Sequence, residues 1–197
     1  MLSNSTKRVP YISRHSRDVF WRLIDQYQKH ACNVQSRART DQLTITGAIR
    51  LLAIRNVNDD FNRESLRIEI DTSLPSARVI RALDELIELR GPPKRLRLDN
   101  GPELISAALH QWAQRHGVEL VHIQPGKPTQ NAYIERFNRT FRTEVLDRYV
   151  FTSLDEVRRM TEDWRHRYNH DRPHRSLGGL SPIRYAMAKS PSTSTFD

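Results

Sequence analysis

The order of strand and helix patterns between residues 43 and 147 is the feature that most restricts the fold of this chain. Three strand patterns come first, at Leu43–Ile45, Ile49–Val57 and Leu66–Ile70. A helix, a strand, a helix, a strand and a further helix then follow in alternation. Consecutive strands form antiparallel hairpins, whereas strands joined through a helix run parallel. The sequence therefore predicts an α/β fold with a mixed sheet and flanking helices.

The later elements are bounded by turn residues and by helix start and stop signals. They are predicted as a helix over Pro75–Leu89, a strand over Lys94–Leu98, a helix over Glu103–His116, a strand over Val118–Ile123, a helix ending near Asp147, a helix over Leu154–His170 and a short helix over Pro182–Ala188. Near the N-terminus, apolar residues at helical spacing predict one more short helix over Asp18–Lys29.

The charge of the chain favours a polyanionic partner such as nucleic acid, with a net charge of +9 and a pI near 10.2. Most of this excess lies early, because residues 1–56 hold 10 Lys/Arg against 3 Asp/Glu, or +7. Cys32 is the single cysteine, which excludes an intrachain disulfide and indicates a reducing compartment. No apolar run approaches the ~20 residues of a membrane span, so a cytoplasmic protein without a membrane partner is expected.

Two carboxylates, Asp99 and Glu135, stand at positions that suit a metal site, with 35 residues between them. Asp99 follows a strand pattern and precedes a turn, and Glu135 lies early in a helical stretch. Carboxylates from distant segments can hold Mg²⁺ and leave positions open for phosphate oxygens. Taken alone, Asp99 could instead cap the following helix, and Glu135 could pair with Arg139 on a solvated face.

Several sequence blocks occur in one order, and together they resemble the integrase-type catalytic core of bacterial insertion-sequence transposases. The blocks are Leu98–Glu103, Gln124–Asn131, Tyr133–Asn138 and Tyr168-Asn169-x-x-Arg172-Pro173-His174. The resemblance covers about Val57 to Ala188. It implies an RNase H-like mixed five-stranded sheet, with a first strand that is degenerate in this chain, and a C-terminal helical extension. It also implies an Asp, Asp, Glu triad that binds two Mg²⁺ or Mn²⁺ ions and transfers DNA strands.

The resemblance implies that Asp99 and Glu135 are the second and third members of the triad. The first Asp should lie in a first strand within residues 33–41, where Asp41 is the only acid. This window has no Trp-x-x-Asp-Phe block, and the expected register falls near Arg37. Asp41 is therefore proposed as the third catalytic and metal-binding residue only because no other acid is present there.

Five polar residues around Glu135 are predicted to contact DNA, although an ordinary polar surface would have the same pattern. They are Lys127, Gln130, Asn131, Arg139 and Arg142. His166, His170 and His174 recur every four residues, but Pro173 interrupts the helix and a packed helix end is the favoured interpretation. Asp59 and Asp60 are interpreted as a hairpin turn and not as metal ligands.

The predicted organisation is an atypical basic segment over residues 1–40, the integrase-type core over 41–150, the helical extension over 151–189 and a disordered tail over 190–197. The family acts on transposon ends and target DNA as a homo-multimer. No helix-turn-helix is evident, so a separate partner protein or a further segment is expected to recognise the ends. A bacterial cytoplasmic, nucleoid-associated protein is the resulting expectation.

Two alternatives to an active enzyme remain open. The first is a truncated transposase remnant that retains nucleic-acid binding without catalysis. The second is a non-catalytic binding module built on the basic N-terminus, whose salt dependence would follow the N-terminal arginines and not Asp99 or Glu135. These arginines are Arg8, Arg14, Arg17, Arg37 and Arg39.

Overall fold

The computed structural model describes residues 20–28, 52–99, 104–122 and 132–190. The strands in these ranges are β1 (Phe20–Gln28), β2 (Leu52–Asp59), β3 (Ser65–Asp71), β4 (Arg95–Leu98) and β5 (Glu119–His122). The α-helices are α1 (Ser76–Arg90), α2 (Ala107–His116), α3 (Ala132–Phe141), α4 (Leu154–His170) and α5 (Pro182–Lys189). A π-helical segment, Arg142–Leu146, continues α3, and a short 3-10 turn spans Arg175–Leu177.

The five strands form one mixed sheet in the order β3-β2-β1-β4-β5. The β1–β2 and β2–β3 pairs are antiparallel, whereas β1–β4 and β4–β5 are parallel. This arrangement confirms the prediction of an α/β, RNase H-like sheet with flanking helices. The central strand is β1, which joins the antiparallel half of the sheet, β2 and β3, to the parallel half, β4 and β5.

The helix predicted over Asp18–Lys29 is wrong, because this segment forms the central strand β1. Trp21 and Leu23 are each only 1% exposed, and their spacing of two residues places them on one face of the strand. Burial between two neighbouring strands overrides the local helical periodicity. The first strand of the sheet thus lies before residue 33, outside the window in which the sequence predicted it.

Two apolar clusters cover opposite faces of the sheet. The first lies under α1 and α2, and among its members are Trp21, Leu23, Val57, Leu96, Leu98 and Trp112. The second lies under α3 and α4, and among its members are Ile54, Ile70, Ile134, Phe137, Phe141 and Trp164. Ile54 and Val57 of β2 therefore belong to different faces, as their odd spacing requires. The helix that carries Glu135 covers the second face.

The predicted start of α4 and the predicted end of α2 agree with the capping groups found, whereas α2 begins at Ala107 and not at the predicted Glu103. The Ser106 side chain accepts a hydrogen bond from the Leu109 amide at the start of α2, and the Ser153 side chain accepts one from Glu156 at the start of α4. Gly117 ends α2 with a φ of 65°, a left-handed conformation that favours glycine. The predicted strand over Leu43–Ile45 lies outside the described residues.

Candidate functional site

Asp99 directly follows β4 and is half-buried. Leu98, the last residue of β4, is the parallel partner of Leu23 in β1. This pair is the last of the ladder, and the parallel register extended by one residue sets Asp99 beside Ile24. Ile24 in turn is the antiparallel partner of Asn56 in β2. Asn56, Ile24 and Asp99 thus form one row across three adjacent chain segments in the centre of the sheet.

Glu135 lies on the exposed side of α3. The helix is amphipathic and buries Ile134, Phe137 and Phe141 against the second apolar cluster. Asn138, three residues after Glu135 and on the buried side of the helix, accepts a 2.7 Å hydrogen bond from Asn56 Nδ2. Since both amides are buried, this bond fixes α3 to the sheet one turn from Glu135.

Tyr133 ties the start of α3 to the β2–β3 hairpin. Its hydroxyl donates a hydrogen bond to the Arg63 carbonyl at 3.0 Å and accepts one from Asn58 Nδ2 at 3.2 Å. The Tyr168 hydroxyl of α4 lies 3.5 Å away. Burial raises the pKa of both phenols, so they stay protonated and act as hydrogen-bonding groups.

The π-helical segment after α3 carries Glu144, which binds the C-terminal extension. Arg172 donates to both carboxylate oxygens of Glu144, at 2.8 to 2.9 Å, and Trp164 Nε1 donates to it at 2.7 Å. The hydrogen bonds from Arg172 lower the pKa of Glu144, although partial burial opposes this. A bidentate pair of this kind is more directional than a single ion pair. The role of Arg172 in this structure is therefore to anchor the extension.

Asn169 makes a second, reciprocal attachment between the extension and the sheet. Its Oδ1 accepts a hydrogen bond from the Ser65 amide at 2.8 Å, and its Nδ2 donates to the Ser65 carbonyl at 2.9 Å. Both residues are buried. The side-chain amide thus satisfies two backbone groups at the start of β3, as burial requires.

The predicted DNA-contact residues fall into two groups. Arg139 is exposed on α3, and Arg142 is partly exposed with its Nε 3.2 Å from an Asp147 carboxylate oxygen. Lys127, Gln130 and Asn131 lie outside the described residues, as does the predicted metal ligand Asp41. The role of all six in binding stays a prediction.

Asp59 and Asp60 lie at the end of β2 and in the following turn, which confirms their interpretation as turn residues. Asp60 accepts hydrogen bonds from Arg22 at 3.1 Å and from Arg97 at 3.4 Å, and the Arg63 guanidinium lies 3.9 Å away. These contacts join β1, β4 and the hairpin through one carboxylate. The carboxylate of Asp60 therefore has a structural role in holding these elements together.

The chemistry of Asp99 and Glu135 fits a divalent cation. Asp99 and Glu135 offer the one or two carboxylates with which proteins usually bind Mg²⁺. Across the parts of the chain that the structure describes, no cluster of three or more His, Cys, Asp or Glu side chains could hold a metal ion.

The histidine series packs as a helix end, in agreement with the favoured interpretation. His166 and His170 stack with ring centroids 4.3 Å apart, and His174 lies edge-on to Tyr168 at 4.9 Å. Burial lowers the pKa of His170 and of His174. The lowered pKa favours the neutral form of these two imidazoles.

The residues missed from the sequence are those of β1 and the two buried asparagines. Trp21 followed by Asp25 resembles a first-strand signal, but it lies before residues 33–41 and its spacing differs from Trp-x-x-Asp. Asn56 and Asn138 gave no signal, because isolated asparagines in polar sequence are most often exposed. Their pairing depends on the packing of α3 against β2, which joins residues 82 positions apart.

The chain is similar to proteins of insertion elements. Two family models, both described as integrase core domain, match residues 33–128 and 116–182. An uncharacterized 39.2 kDa protein of insertion element IS476 from Xanthomonas euvesicatoria is 47% identical over 137 residues, which cover 70% of this chain and 40% of that protein. A 31.7 kDa protein of IS407 from Burkholderia multivorans is 48% identical over 130 residues, 66% of this chain and 47% of that protein. The chain thus spans less than half the length of these relatives.

Solved structures show the same fold at low sequence identity. The catalytic core of BIV integrase matches with a TM-score of 0.61 and 14% identity, over 88% of this chain and 97% of that one. The HTLV-2 integrase core in complex with magnesium matches with a TM-score of 0.57 and 16% identity, over 85% and 95%. No helix in the described part of this chain is long and apolar enough to cross a membrane. The sheet order, the two integrase core matches and the insertion-element relatives together place this chain in the insertion-sequence transposase family with an integrase-type core.

Proposed function

We propose that this chain acts on DNA as the strand-cleaving and strand-joining core of a transposase. The observation that supports the proposal best is the row formed by Asn56, Ile24 and Asp99, together with the attachment of α3 to that row through Asn138. In this arrangement β4, which Asp99 follows, lies beside the central strand β1. The helix α3, which carries Glu135, covers one face of the same strands. A phosphodiester bound at this face would meet both carboxylates.

Asp99 and Glu135 would hold a divalent cation, Mg²⁺ or Mn²⁺. Such an ion, when bound, neutralises developing charge on the phosphate and polarises its oxygens. The nucleophile would be water in cleavage and a DNA 3′-hydroxyl in joining. In each step its oxygen loses a proton to solvent and forms a bond to phosphorus while the bond from phosphorus to the leaving 3′-oxygen breaks, and that leaving oxygen gains a proton from solvent.

The partners follow from this activity. Transposon ends and target DNA would be the substrates, and Arg139 and Arg142 of α3 would contact phosphates beside Glu135. A homo-multimer would bring two ends together, and a separate helix-turn-helix protein or segment would recognise them. Such a protein would work in the bacterial cytoplasm at the nucleoid.

Mn²⁺ binding by calorimetry, followed by strand transfer on end-containing DNA, tests the proposal. Asp99→Asn and Glu135→Asn should each weaken Mn²⁺ binding at least tenfold and abolish transfer while DNA binding persists. Asp163→Asn, which removes an exposed carboxylate from α4, is the matched control and should change neither quantity. Asp41→Asn belongs in the series because Asp41 remains a predicted ligand. Unchanged Mn²⁺ binding in both Asp99→Asn and Glu135→Asn would contradict the proposal.

A catalytically inactive core that still binds DNA is the second candidate. It is favoured by one observation, namely that an isoleucine, Ile24, occupies the row position beside Asp99. Wild-type protein that binds end-containing DNA but transfers no strand at saturating Mn²⁺ would support it. Strand transfer that Asp99→Asn removes would exclude it.

A further inference from the structure

We infer that the acid of the first strand lies one position out of phase with the site, so that position 24, and not Asp25, adjoins Asp99 and α3. The inference rests on the proposed function, since it concerns the ligands of the same site. It concerns the strand that pairs with β4, the strand that Asp99 follows.

The register of β1 provides the first argument. Ile24 is paired with Asn56, and Asp25 with Arg55. Asn56 reaches α3 through its hydrogen bond to Asn138, so the row at position 24 is the one that α3 covers. Adjacent strands lie about 4.8 Å apart, which places position 24 directly between Asp99 and the attachment point of α3.

The buried residues of β1 provide the second argument. Trp21 and Leu23 belong to the apolar cluster under α1 and α2, on the face opposite to α3. Position 25 has the same parity along the strand as these two residues, whereas position 24 has the other parity. The partner of Asp25, Arg55, likewise has the parity of Val57, which belongs to that same cluster. Position 25 is thus assigned to the face that α3 does not cover.

The pairing of β1 with β2 fixes this register. Eight consecutive residues of β1 pair with eight of β2 without an interruption, from Trp21 with Asp59 to Gln28 with Leu52. No bulge interrupts this pairing, so position 25 keeps the register set by Trp21 and Leu23. A slip of the whole strand by one residue would take Trp21 and Leu23 out of the core and separate Arg22 from Asp60.

One residue at position 24 would therefore complete the site. An aspartate there would stand beside Asp99 on the face of Glu135, and a third carboxylate strengthens the binding of a divalent cation. The matched replacement is Ile24→Asn, which has the same shape as aspartate and no charge. A composition-neutral alternative is the exchange Ile24→Asp with Asp25→Ile.

Mn²⁺ calorimetry on the full chain tests the inference, with the melting temperature in the presence and absence of Mn²⁺ as a second measurement. Asp25→Asn should bind Mn²⁺ as the wild type does. Ile24→Asp should bind it at least tenfold more tightly and should show a larger increase in melting temperature with Mn²⁺. Ile24→Asn should show no gain.

Weaker Mn²⁺ binding in Asp25→Asn, to the extent seen in Asp99→Asn, would show that Asp25 is a ligand and would overturn the inference. A folded Ile24→Asp variant without tighter binding would also overturn it. If Ile24→Asp does not fold, the exchange variant and Asp25→Asn decide the question. Failure of the proposed function looks different, because Asp99→Asn and Glu135→Asn would then leave Mn²⁺ binding unchanged.

Discussion

Asn56 Nδ2 donates a hydrogen bond of 2.7 Å to Asn138 Oδ1, and this buried amide pair joins β2 to the helix that carries Glu135. The two residues are 82 positions apart in the sequence. Buried polar pairs of this kind specify one arrangement of packed elements, because other arrangements leave the groups without partners. The distance of Glu135 from the sheet is therefore set by two asparagines that need not contact DNA or metal.

Removal of either asparagine should destabilise the protein. Asn138→Ala leaves the Asn56 side chain buried without its acceptor, so the free energy of unfolding should fall by about 1–3 kcal/mol. Asn56→Ala should have a similar effect. The double variant should lose less than the sum of the two, because both changes remove the same bond. Urea denaturation measures all three, and strictly additive losses would contradict the role of the pair.

Asn169→Ala should separate the C-terminal extension from the start of β3. Two hydrogen bonds to the Ser65 backbone are lost in a buried environment, so a loss of about 1–3 kcal/mol is expected. Hydrogen exchange should report the change most directly, through faster exchange of the Ser65 amide. Asn169→Asp keeps the acceptor for that amide and should protect it better than alanine does. Equal exchange rates in wild type and Asn169→Ala would refute this role.

The Arg172–Glu144 pair should make stability depend on pH in the acid range. The pKa of Glu144 is lowered in the folded protein, so its contribution is complete above about its ordinary pKa of 4.5 and is lost as the pH falls through the folded value. Both side chains are more than a third exposed, at 37% and 38%, and solvent screening limits the effect. Arg172→Gln should cost about 0.5–1 kcal/mol at pH 7 and less near pH 3.

Unfolding by urea at pH 7 and near pH 3 measures this difference. Arg115→Gln removes an exposed arginine from α2 and is the control, which should follow the wild-type pH dependence. A penalty for Arg172→Gln that is larger at acid pH than at neutral pH would have the wrong sign for this ion pair.

Arg139→Ala should weaken DNA binding without changing the fold. An arginine that contacts one phosphate contributes about one unit to the dependence of log affinity on log salt concentration. The exposed position of Arg139, one turn after Glu135, suits such a contact. Arg115→Ala, on the opposite face of the sheet, is again the matched control. Fluorescence anisotropy at several salt concentrations distinguishes the two, and an unchanged slope in Arg139→Ala would remove this residue from the interface.

Elements with local signals were predictable from the sequence. The predicted helix over Leu154–His170 has the bounds found for α4, because the Ser153 cap and the apolar spacing act within one segment. α1 likewise ends at Gly91, where the sequence placed a stop. The strand β1 was not predictable in the same way. Its apolar residues fit the spacing of a helix as well as that of a strand. Only the pairing with β2 and β4 decides in favour of the strand.

The site was predictable to the extent that its residues lie in recognisable blocks. Spacing and the resemblance favour Asp99 and Glu135, whose role as ligands stays a prediction, and the structure places β4 and α3 at the central strands. The phase of Asp25 could not be predicted, because a shift of one position changes the face of a strand but hardly changes a sequence pattern. The hydrogen-bonded pairs Asn56–Asn138 and Ser65–Asn169 could not be predicted either, because each joins segments that are distant in the sequence.

The attachments of Asn169 and Arg172 also bear on what happens to damaged copies of the gene. A premature stop codon before α4 would delete Trp164 and Tyr168 and leave Phe137 and Phe141 without their aromatic neighbours. The shortened polypeptide would expose the second apolar cluster to water and become a substrate for proteases and chaperones. Nonsense mutations in this part of the gene should therefore act as complete losses of the protein, and seldom as sources of a shortened dominant-negative product.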